Sequence, residues 1–397
     1  MEVSARSASG SVPSGVRDVV FTFFRETWND AHTRGMARPP DRLLAALERD
    51  PRVAHVVVAN PYRSWPIQFV KRATGRRDRS YPATESGSLL EPKRLRRRDP
   101  TSRAALLRSY RHYGDVLHDA IRTHGQAERP PAIITTNPFV AGFSELDWAH
   151  SVTYYARDDW AHHPDTAPWW PRIEEAYQRM AQRQARVCAV SQTLADRFPA
   201  SAAWVVPNAV QSEEWMTVET PPPWFRDLPR PRLLYVGVID SRLDVDALLK
   251  LSRSDVAGSI VLLGPLKDDR LRETLLERGN VHHRYSDRRS EIAAVVSAAD
   301  VGLLPHRRTP LTEAMSPLKL YEYGAGGLPI VATSFEPVRS VRDLRDQMVL
   351  VAPGGDWVEA ARSALATGRA SERDRQRFIA ANTWGERHEG LITIALR

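Results

Sequence analysis

The sequence of 397 residues has a single cysteine, few lysines and no long apolar run. The one cysteine, Cys188, excludes an internal disulfide, and its apolar surroundings, VCAV, predict a buried, inert thiol in a reducing compartment. No stretch approaches the roughly 20 apolar residues that a membrane-spanning helix requires. The first 15 residues lack an apolar core of signal-peptide length, so we expect no export.

Only five of the 56 basic residues are lysine, and the formal net charge is +8. This charge is concentrated in residues 71–111, the basic segment, which holds 13 basic and four acidic residues. Such a segment is typical of a solvated loop, or of a surface on anionic lipid, where each basic residue contributes about 1 kcal/mol. It lacks interleaved aromatic residues and nucleic-acid motifs, so we expect no nucleic-acid partner.

Short apolar runs alternate with amphipathic stretches, which is the pattern of doubly wound α/β domains. The predicted strands are 18–24, 53–59, 132–136, 151–156, 187–191 and 203–207, then 232–239, 259–265, 280–285, 300–305 and 329–333. Residues 207–231 separate the two groups with six prolines and no sustained periodicity, which indicates a linker. We therefore predict an N-terminal domain (1–210, with the basic segment as an insertion), a C-terminal domain (211–375) and a C-terminal helix (376–397) packing back towards the N-terminal domain.

The segment SPLKLYEYGAGGLP, residues 316–329, predicts a short helix. Ser316 is a typical N-cap, Pro317 suits the first helical position, and the glycine pair at 326–327 ends the helix. The start of such a helix offers free N–H groups to a phosphate, and it faces the carboxyl ends of the strands, where open α/β sheets bind ligands. Lys319 and Glu322 share one face a turn apart, which suits a diphosphate and a ribose; a surface ion pair is the alternative.

The stretch DVGLLPHRR followed by SPLKLYEYGAGGLPIVAT resembles the donor-binding region of GT-B glycosyltransferases. It is most similar to the family 4-like, group 1 enzymes of bacteria that build exopolysaccharide and teichuronic-acid-type polymers. Residues 187–210 and 235–251 are similar to the segments that close the N-terminal domain and open the C-terminal domain in that family. The resemblance implies the GT-B fold, an α/β architecture with two Rossmann-like domains facing each other across a cleft.

The resemblance also implies the ligands. The donor is a nucleotide-sugar, with a UDP-sugar favoured, and the acceptor is a saccharide or a polyprenyl-diphosphate-linked saccharide; no cofactor and no metal are expected. Lys319 is implied to contact the diphosphate and Glu322 the ribose. The further donor-site residues implied are Gly237, Arg242 as a second cation, Tyr285 beside the base, Ser316, Pro317 and Leu318. A solvated loop arginine remains the alternative for Arg242, and a core-edge tyrosine the alternative for Tyr285.

One position departs from the family pattern. Many members carry a second glutamate eight residues before the ribose-binding one, where this chain has Ala314, and Glu313 is one position off. This puts the glutamate pair of retaining enzymes in doubt but leaves nucleotide binding untouched.

Sugar transfer requires a base that takes the proton of the attacking hydroxyl. The run YYARDDWAHH supplies Asp158 and Asp159 directly after a predicted strand, and it is similar to the Tyr-x-x-x-Asp-Asp-aromatic element of the same enzymes. We prefer Asp158 as the base, with helix capping as the alternative role for the pair. His162 and His163 either supplement the base or are solvated, and their spacing does not predict a metal site.

The loop after the first predicted strand is rich in groups that hydrogen-bond saccharides. Trp28, His32 and Arg34 are its candidate acceptor contacts. The basic segment and the family resemblance together place the acceptor at the inner membrane face, so we expect a cytoplasmic protein with peripheral membrane contact. A catalytically inactive binding partner or membrane adaptor of the same fold, and a nucleotide-sugar epimerase, stay open as alternatives.

Overall fold

A computed structural model of the chain describes residues 16–66, 69, 79, 81–82, 86–96, 98–198 and 202–397. Within the predicted basic segment, residues 71–78, 80, 83–85 and 97 lie outside the described residues. Among the described residues, no helix has both the length and the apolar character needed to cross a membrane.

The strands are β1 (Arg17–Thr22), β2 (Val53–Ala59), β3 (Arg63–Ser64), β4 (Gly87–Leu90), β5 (Lys93–Arg94), β6 (Ala132–Thr135), β7 (Ser151–Ala156), β8 (Arg186–Ala189), β9 (Ala203–Val205), β10 (Arg232–Val236), β11 (Ser259–Leu263), β12 (Val281–Arg284), β13 (Val301–Leu304), β14 (Ile330–Thr333) and β15 (Met348–Val351).

The α-helices of the described residues are α1 (Trp28–Thr33), α2 (Pro39–Leu47), α3 (Arg103–His124), α4 (Pro138–Phe143), α5 (Trp170–Gln182), α6 (Gln192–Ala195), α7 (Glu213–Met216), α8 (Pro223–Arg226), α9 (Val245–Ser252), α10 (Asp269–Leu276), α11 (Arg289–Ala298), α12 (Pro310–Ala314), α13 (Leu318–Ala325), α14 (Glu336–Arg339), α15 (Trp357–Thr367), α16 (Glu372–Ala381) and α17 (Trp384–Leu396). Two 3₁₀ helices cover Pro164–Trp169 and Arg342–Gln347.

The N-terminal sheet is parallel, with strand order β4-β2-β1-β6-β7-β8-β9. Its inner strands are apolar on both faces because helices cover the sheet on both sides. Val20 of β1, for example, is fully buried and is paired with Val57 of β2 and Ile133 of β6. The chain runs from β1 outwards to β2 and β4 and then returns to β6 on the other side, so the direction of winding reverses between β1 and β6.

The C-terminal sheet repeats this plan with strand order β12-β11-β10-β13-β14-β15, again parallel. Its winding reverses between β10 and β13. Two apolar clusters cover its faces, one around Tyr323 and Phe225 and the other around Leu262 and Trp357. The predicted division after residue 210 falls in the linker between β9 and β10.

The helix predicted from residue 316 begins one residue later than expected. Pro317 is the N-cap, and α13 runs from Leu318 to Ala325 with Gly326 at its C-terminus. Ser316 does not cap the helix, because its hydroxyl accepts a hydrogen bond from the backbone N–H of Asn208 (3.1 Å) and its carbonyl accepts one from the Asn208 side chain (2.6 Å). This serine therefore ties the start of α13 to the linker.

The last amphipathic stretch forms two helices and not one. Helix α16 ends at Asn382. The side chain of Thr383 then caps α17 by accepting a hydrogen bond from the backbone N–H of Glu386. Helix α16 packs on α13 of the C-terminal domain, whereas α17 packs on α2 and β7 of the N-terminal domain. The hydroxyl of Ser151 in β7 donates to the carbonyl of Ala395 in α17 (2.6 Å). The end of the chain therefore joins the two domains a second time.

Candidate active site

The reversal in the C-terminal sheet creates a crevice at the carboxyl ends of β10 and β13, the place where open α/β sheets bind ligands. Gly237 follows β10 and His306 follows β13. Gly237 has φ of +129°, and Gly264, in the neighbouring loop, has φ of +147°. A Cβ at Gly264 would lie 2.2 Å from the Gly237 carbonyl oxygen, and a Cβ at Gly237 would lie 3.1 Å from Lys319 Cε. The positive φ at both positions favours glycine, and without side chains the two loops can lie against each other and Lys319 can lie over Gly237.

Lys319 extends from the first turn of α13 into this crevice. Its Nζ lies 3.5 Å from His306 Nε2 and 4.8 Å from the centre of the Tyr235 ring. Burial lowers the pKa of Lys319 to about 7, with the nearby Arg242 acting in the same direction and Glu322 opposing it. Burial and the Lys319 charge also hold the pKa of His306 well below its ordinary value, so this imidazole is neutral. The crevice thus holds a cation that an arriving anion would stabilise.

Glu322 lies one turn further along α13 and is 3% exposed. Its Oε1 accepts a hydrogen bond from Arg289 Nη1 at 2.7 Å. The spacing left open a surface ion pair between Glu322 and Lys319. Among the described residues, Glu322 forms its ion pair with Arg289 and not with Lys319. A carboxylate has about four lone-pair positions, so Oε2 remains able to accept hydroxyl groups of a ligand.

Arg289 also belongs to a network of charged side chains that extends to the N-terminal domain. Its Nε and Nη2 donate to Oε2 of Glu214 in α7 at 3.0 and 2.9 Å. The other oxygen of Glu214 accepts from Nη2 of Arg42 in α2 at 2.6 Å. This network could not be predicted from the sequence, because its members are far apart in the chain and belong to no shared motif.

Arg242 lies in the loop after Gly237, as expected for a second cation. Its guanidinium is held by Asp240 through three side-chain hydrogen bonds: Nε donates to Oδ1 at 2.9 Å and to Oδ2 at 3.2 Å, and Nη2 donates to Oδ2 at 2.8 Å. Burial is the largest single effect and lowers the pKa of Arg242, but the hydrogen bond and the charge of Asp240, together with Tyr235 and Asp158, outweigh it, so the pKa is raised. Tyr285 follows β12 and is 62% exposed, so its ring is open to a ligand at the same edge of the sheet.

The structure separates the two neighbouring aspartates of the N-terminal domain. Asp159 is 2% exposed; its Oδ2 lies 2.7 Å from His162 Nδ1 and 3.6 Å from Arg197 Nε. Asp159 is therefore occupied in holding its own loop. The side chain of Asp158 is 32% exposed, and its nearest ion-pair partner among the described residues, Arg157, is 3.9 Å away. The charge of Asp158 contributes to the raised pKa of Arg242, so Asp158 lies within electrostatic range of the donor-side crevice.

His163 adjoins Asp158, whereas His162 is turned towards Asp159. Burial lowers the pKa of His163, and the carboxylates of Asp158 and Asp165 oppose this shift. The Nδ1 of His163 accepts a hydrogen bond from the Asp165 N–H at 3.2 Å. The second ring nitrogen, Nε2, takes no part in this hydrogen bond.

Two of the three predicted acceptor contacts are occupied within the N-terminal domain. Trp28 is 4% exposed and stacks on His32 with ring centres 4.9 Å apart, so burial contradicts its predicted role as an open platform for a sugar. Arg34 pairs with Asp41 (2.7 Å) and with a second carboxylate, that of Glu26 (2.9 Å). His32 lies nearer the surface and is 3.0 Å from Arg79 Nη1.

The position that departs from the family pattern lies at the junction of the domains. Ala314 is 1% exposed and packs against the N-terminal core, and its carbonyl accepts a hydrogen bond from the hydroxyl of Ser191 (2.7 Å). Glu313 pairs with Arg308. A side chain as long as glutamate at position 314 would have to displace this packing.

Residues 230–367 match the family Glycosyl transferases group 1. The chain is also 26% identical over 102 residues to the teichuronic acid biosynthesis glycosyltransferase TuaH of Bacillus subtilis, a match that spans 25% of this chain and 26% of the relative. Sucrose-phosphate synthase of Thermosynechococcus elongatus is 14% identical with a TM-score of 0.65, over 95% of this chain and 98% of that one. A trehalose-6-phosphate protein of E. coli, solved with UDP-2-fluoro glucose, is 13% identical with a TM-score of 0.67, over 96% and 99%.

The chain has the GT-B fold. The resemblance carried by the donor segment is confirmed, because the family match covers that segment together with β10 to β15. In this GT-B arrangement, the crevice at Gly237 and Lys319 belongs to the C-terminal domain, and Asp158 belongs to the domain that faces it. Among the described residues, no group of three His, Cys, Asp or Glu side chains is arranged to hold a metal ion.

Proposed function

We propose that this protein is a glycosyltransferase that moves a sugar from a UDP-sugar to a saccharide or lipid-linked saccharide acceptor in cell-envelope or exopolysaccharide synthesis. One observation carries the proposal: Lys319 lies over Gly237 at the reversal of the C-terminal sheet, with Glu322 a turn deeper. Asp158 of the other domain lies within electrostatic range of Arg242 in the same crevice. The likeness to a UDP-2-fluoro glucose complex and to a teichuronic acid enzyme supports the choice of donor and of product class.

The proposed chemistry assigns one task to each group. Asp158 takes the proton of the acceptor hydroxyl as it attacks the anomeric carbon. Lys319 and Arg242 stabilise the negative charge that develops on the departing diphosphate. Glu322 accepts the ribose hydroxyls through Oε2 while Arg289 holds Oε1. Tyr285 flanks the base.

Binding of UDP to the purified protein, measured by calorimetry, tests the donor site. Lys319→Met should weaken UDP binding by roughly 10- to 100-fold, the effect of losing one charge-assisted hydrogen bond. Lys250→Met is the matched control, because Lys250 is an exposed lysine of the same domain on α9. Equal affinity of the two variants would remove Lys319 from the donor site.

Hydrolysis of a UDP-sugar, with water as the acceptor, tests the base. Asp158→Asn should reduce this rate by about 100-fold or more, the usual contribution of a general base, while UDP affinity is retained. Asp159→Asn should instead lower the melting temperature, since Asp159 is buried against His162. Full activity of both variants would place the base elsewhere.

We also propose that the reaction requires no metal ion, because Lys319 and Arg242 place two cations beside the proposed diphosphate position. Dialysis against EDTA should leave UDP affinity and hydrolysis unchanged. A loss that Mg²⁺ or Mn²⁺ restores would contradict this.

We further propose that the N-terminal domain of this cytoplasmic enzyme contacts an anionic membrane. Three apolar side chains near the basic segment are exposed: Trp65 (56%), Phe69 (65%) and Leu95 (78%). Trp65 stacks on Phe69 with ring centres 6.1 Å apart. Exposed Lys93 lies in β5, which pairs with β3, the strand that ends one residue before Trp65. Basic side chains beside exposed aromatic rings suit the headgroup region of an anionic bilayer.

Sedimentation with vesicles tests this contact. Trp65→Ser with Phe69→Ser should reduce binding to phosphatidylglycerol vesicles, and phosphatidylcholine vesicles should bind neither protein. Met216→Ser, which removes another exposed apolar side chain (59%), is the control. Equal sedimentation of all variants would contradict the proposed membrane contact and favour the interpretation of the basic segment as a solvated loop.

A further inference from the structure

A cavity of about 260 Å³ opens at the amino edge of the N-terminal sheet. It is lined by His150 and Ser151, where β7 begins, and by Ala185 and Arg186, where β8 begins. Asp158 follows the carboxyl end of β7, so the cavity lies at the edge of the sheet opposite to the proposed base. Pockets for drug-sized ligands have volumes of roughly 300–1,000 Å³, so this smaller space suits an ion.

Positive charge exceeds negative charge at this cavity. Arg183 and Arg186 line it against one carboxylate, that of Asp147. Burial lowers the pKa of Arg183, and the charge of nearby Arg179 adds to this shift. The carboxylates of Asp147 and Glu145 oppose it without cancelling it. The ion pairs of the described residues include none of these three arginines, so no carboxylate in that part of the chain neutralises them at ion-pair distance.

Each lining arginine keeps part of its guanidinium free of protein acceptors. Arg183 Nη1 donates to the carbonyl of Ser144. Arg186 Nη1 donates to the carbonyls of Ile394 (2.7 Å) and Ala395 (3.2 Å). Within the described part of the chain, Nε and Nη2 of both arginines have no hydrogen-bond partner. A guanidinium presents five N–H donors, and Nε with Nη2 forms a fork that binds an oxyanion through two parallel hydrogen bonds.

Two further polar atoms near the cavity lack partners. His150 Nε2 and Arg179 Nη1 are buried and form no hydrogen bond with any described residue. Buried polar atoms in folded proteins are paired in the great majority of cases. This edge of the sheet therefore has more hydrogen-bonding capacity than its own residues satisfy, and the excess lies mainly on cationic donors.

The cavity wall also holds the end of α17. The hydroxyl of Ser151 donates to the carbonyl of Ala395 (2.6 Å), the same carbonyl that Arg186 Nη1 reaches. The last carbonyls of a helix carry partial negative charge, which a cation such as Arg186 stabilises. A ligand that fixes Arg186 would therefore also fix the contact between α17 and the N-terminal domain.

We propose that this cavity, the amino-edge pocket (His150, Arg183 and Arg186), binds inorganic phosphate and that the bound ion stabilises the docking of α17 on the N-terminal domain. Two guanidinium forks suit the several oxygens of a tetrahedral dianion better than the two oxygens of a carboxylate. The pocket is separate from the donor crevice, so its test does not require the proposed function to be correct.

Calorimetry with sodium phosphate at about pH 8 and constant ionic strength tests the pocket. Phosphate is a dianion there, because its second ionisation lies near pH 6. Sodium acetate is the comparison and should bind about tenfold or more weakly, because it carries one charge and two oxygens. Absence of phosphate binding, or equal binding of acetate, overturns the proposal.

Substitutions assign the binding to the pocket. Arg183→Gln should weaken phosphate binding about tenfold or more, the effect of losing a charge-assisted hydrogen bond. Gln184→Glu should weaken it as well, because this isosteric change at an exposed lining residue places a like charge beside the ion. Arg108→Gln, at an exposed position of α3, is the control and should change nothing. Lys319→Met should also leave phosphate affinity unchanged, because Lys319 belongs to the donor crevice.

Gln184→Glu keeps the test valid if Arg183→Gln lowers the melting temperature through loss of the Ser144 contact. Wild-type affinity in both pocket variants, or loss of binding in Lys319→Met, overturns the assignment.

Hydrogen exchange tests the link to α17. With phosphate at ten times its dissociation constant, amides of the last turn of α17 should exchange about tenfold more slowly, provided that their opening releases the ion. In Arg183→Gln the same phosphate concentration should give little protection. Unchanged exchange of these amides in the wild type, once calorimetry shows saturation, refutes the proposed stabilisation of α17.

Discussion

Binding of the donor should take up a proton at Lys319. In the free protein, burial holds the pKa of this amine at about 7. Two negative phosphates beside it would favour the charged form and return its pKa towards the ordinary value of 10.5. UDP should therefore bind the protonated protein, and its affinity should fall as pH rises above 7.

The magnitude follows from the fraction of free protein that is protonated. With a pKa of about 7, this fraction falls from about one half at pH 7 to about one hundredth at pH 9. The dissociation constant for UDP should rise about 50-fold over this range, which corresponds to about 2.3 kcal/mol. UDP itself contributes little to this change, because the last phosphate ionisation lies near pH 6.

Calorimetry at pH 7, 8 and 9, repeated in buffers with different enthalpies of ionisation, measures both the affinity and the protons taken up. At pH 9 the wild type should bind close to one proton per UDP. Lys319→Met should bind UDP weakly at every pH and take up no proton. A flat affinity from pH 7 to 9 in the wild type, or the same slope in the variant, would refute the reasoning.

Three further changes test the framework of the site. Arg289→Met leaves the buried carboxylate of Glu322 without its cation and should lower the free energy of unfolding in urea by about 3 kcal/mol or more. Gly264→Ala places a Cβ 2.2 Å from a backbone oxygen of the neighbouring loop and should abolish UDP binding, whereas Gly279→Ala, with no atom within 4 Å, should be neutral. His388 is buried, which lowers its pKa to about 4, so it stabilises the fold above pH 6.5 and this stabilisation is lost as pH falls towards 4. In His388→Gln, up to about 3 kcal/mol of that pH dependence should disappear from thermal melts.

The strands of the two sheets were largely readable from the sequence, because inner parallel strands are apolar along their whole length. The runs 53–59 and 151–156 coincide with β2 and β7. The strands that were missed, β4 and β15, lie at the edges of their sheets. Most of their residues are only partly buried or exposed, so selection for apolar side chains is weaker. In β4 only the last two residues are apolar, and the apolar run of β15, MVLV, is short.

The candidate donor site was readable only where its residues follow one another in the chain. The helix with Lys319 and Glu322 has a local pattern, whereas the partners His306 and Arg289 come from other elements and have none. The aspartate pair shows the same limit. Sequence alone cannot tell which carboxylate is buried, and the burial of Asp159 depends on contacts with Arg197, which follows α6, and with His162 of the loop after β7.

The state of the two key groups in the free protein suggests how the domains act together. Lys319 is held in a form that loses its proton near pH 7, whereas Glu322 is already matched by Arg289. In the proposed site, binding energy for the diphosphate would become available when the lysine regains its charge, and the ribose would meet a carboxylate whose position is fixed beforehand. That position is set through Glu214 by Arg42 of the N-terminal domain, the same domain that carries Asp158. A change in the angle between the domains would therefore act both on the hydrogen-bond chain that holds the proposed ribose ligand, Glu322, and on the position of the proposed base.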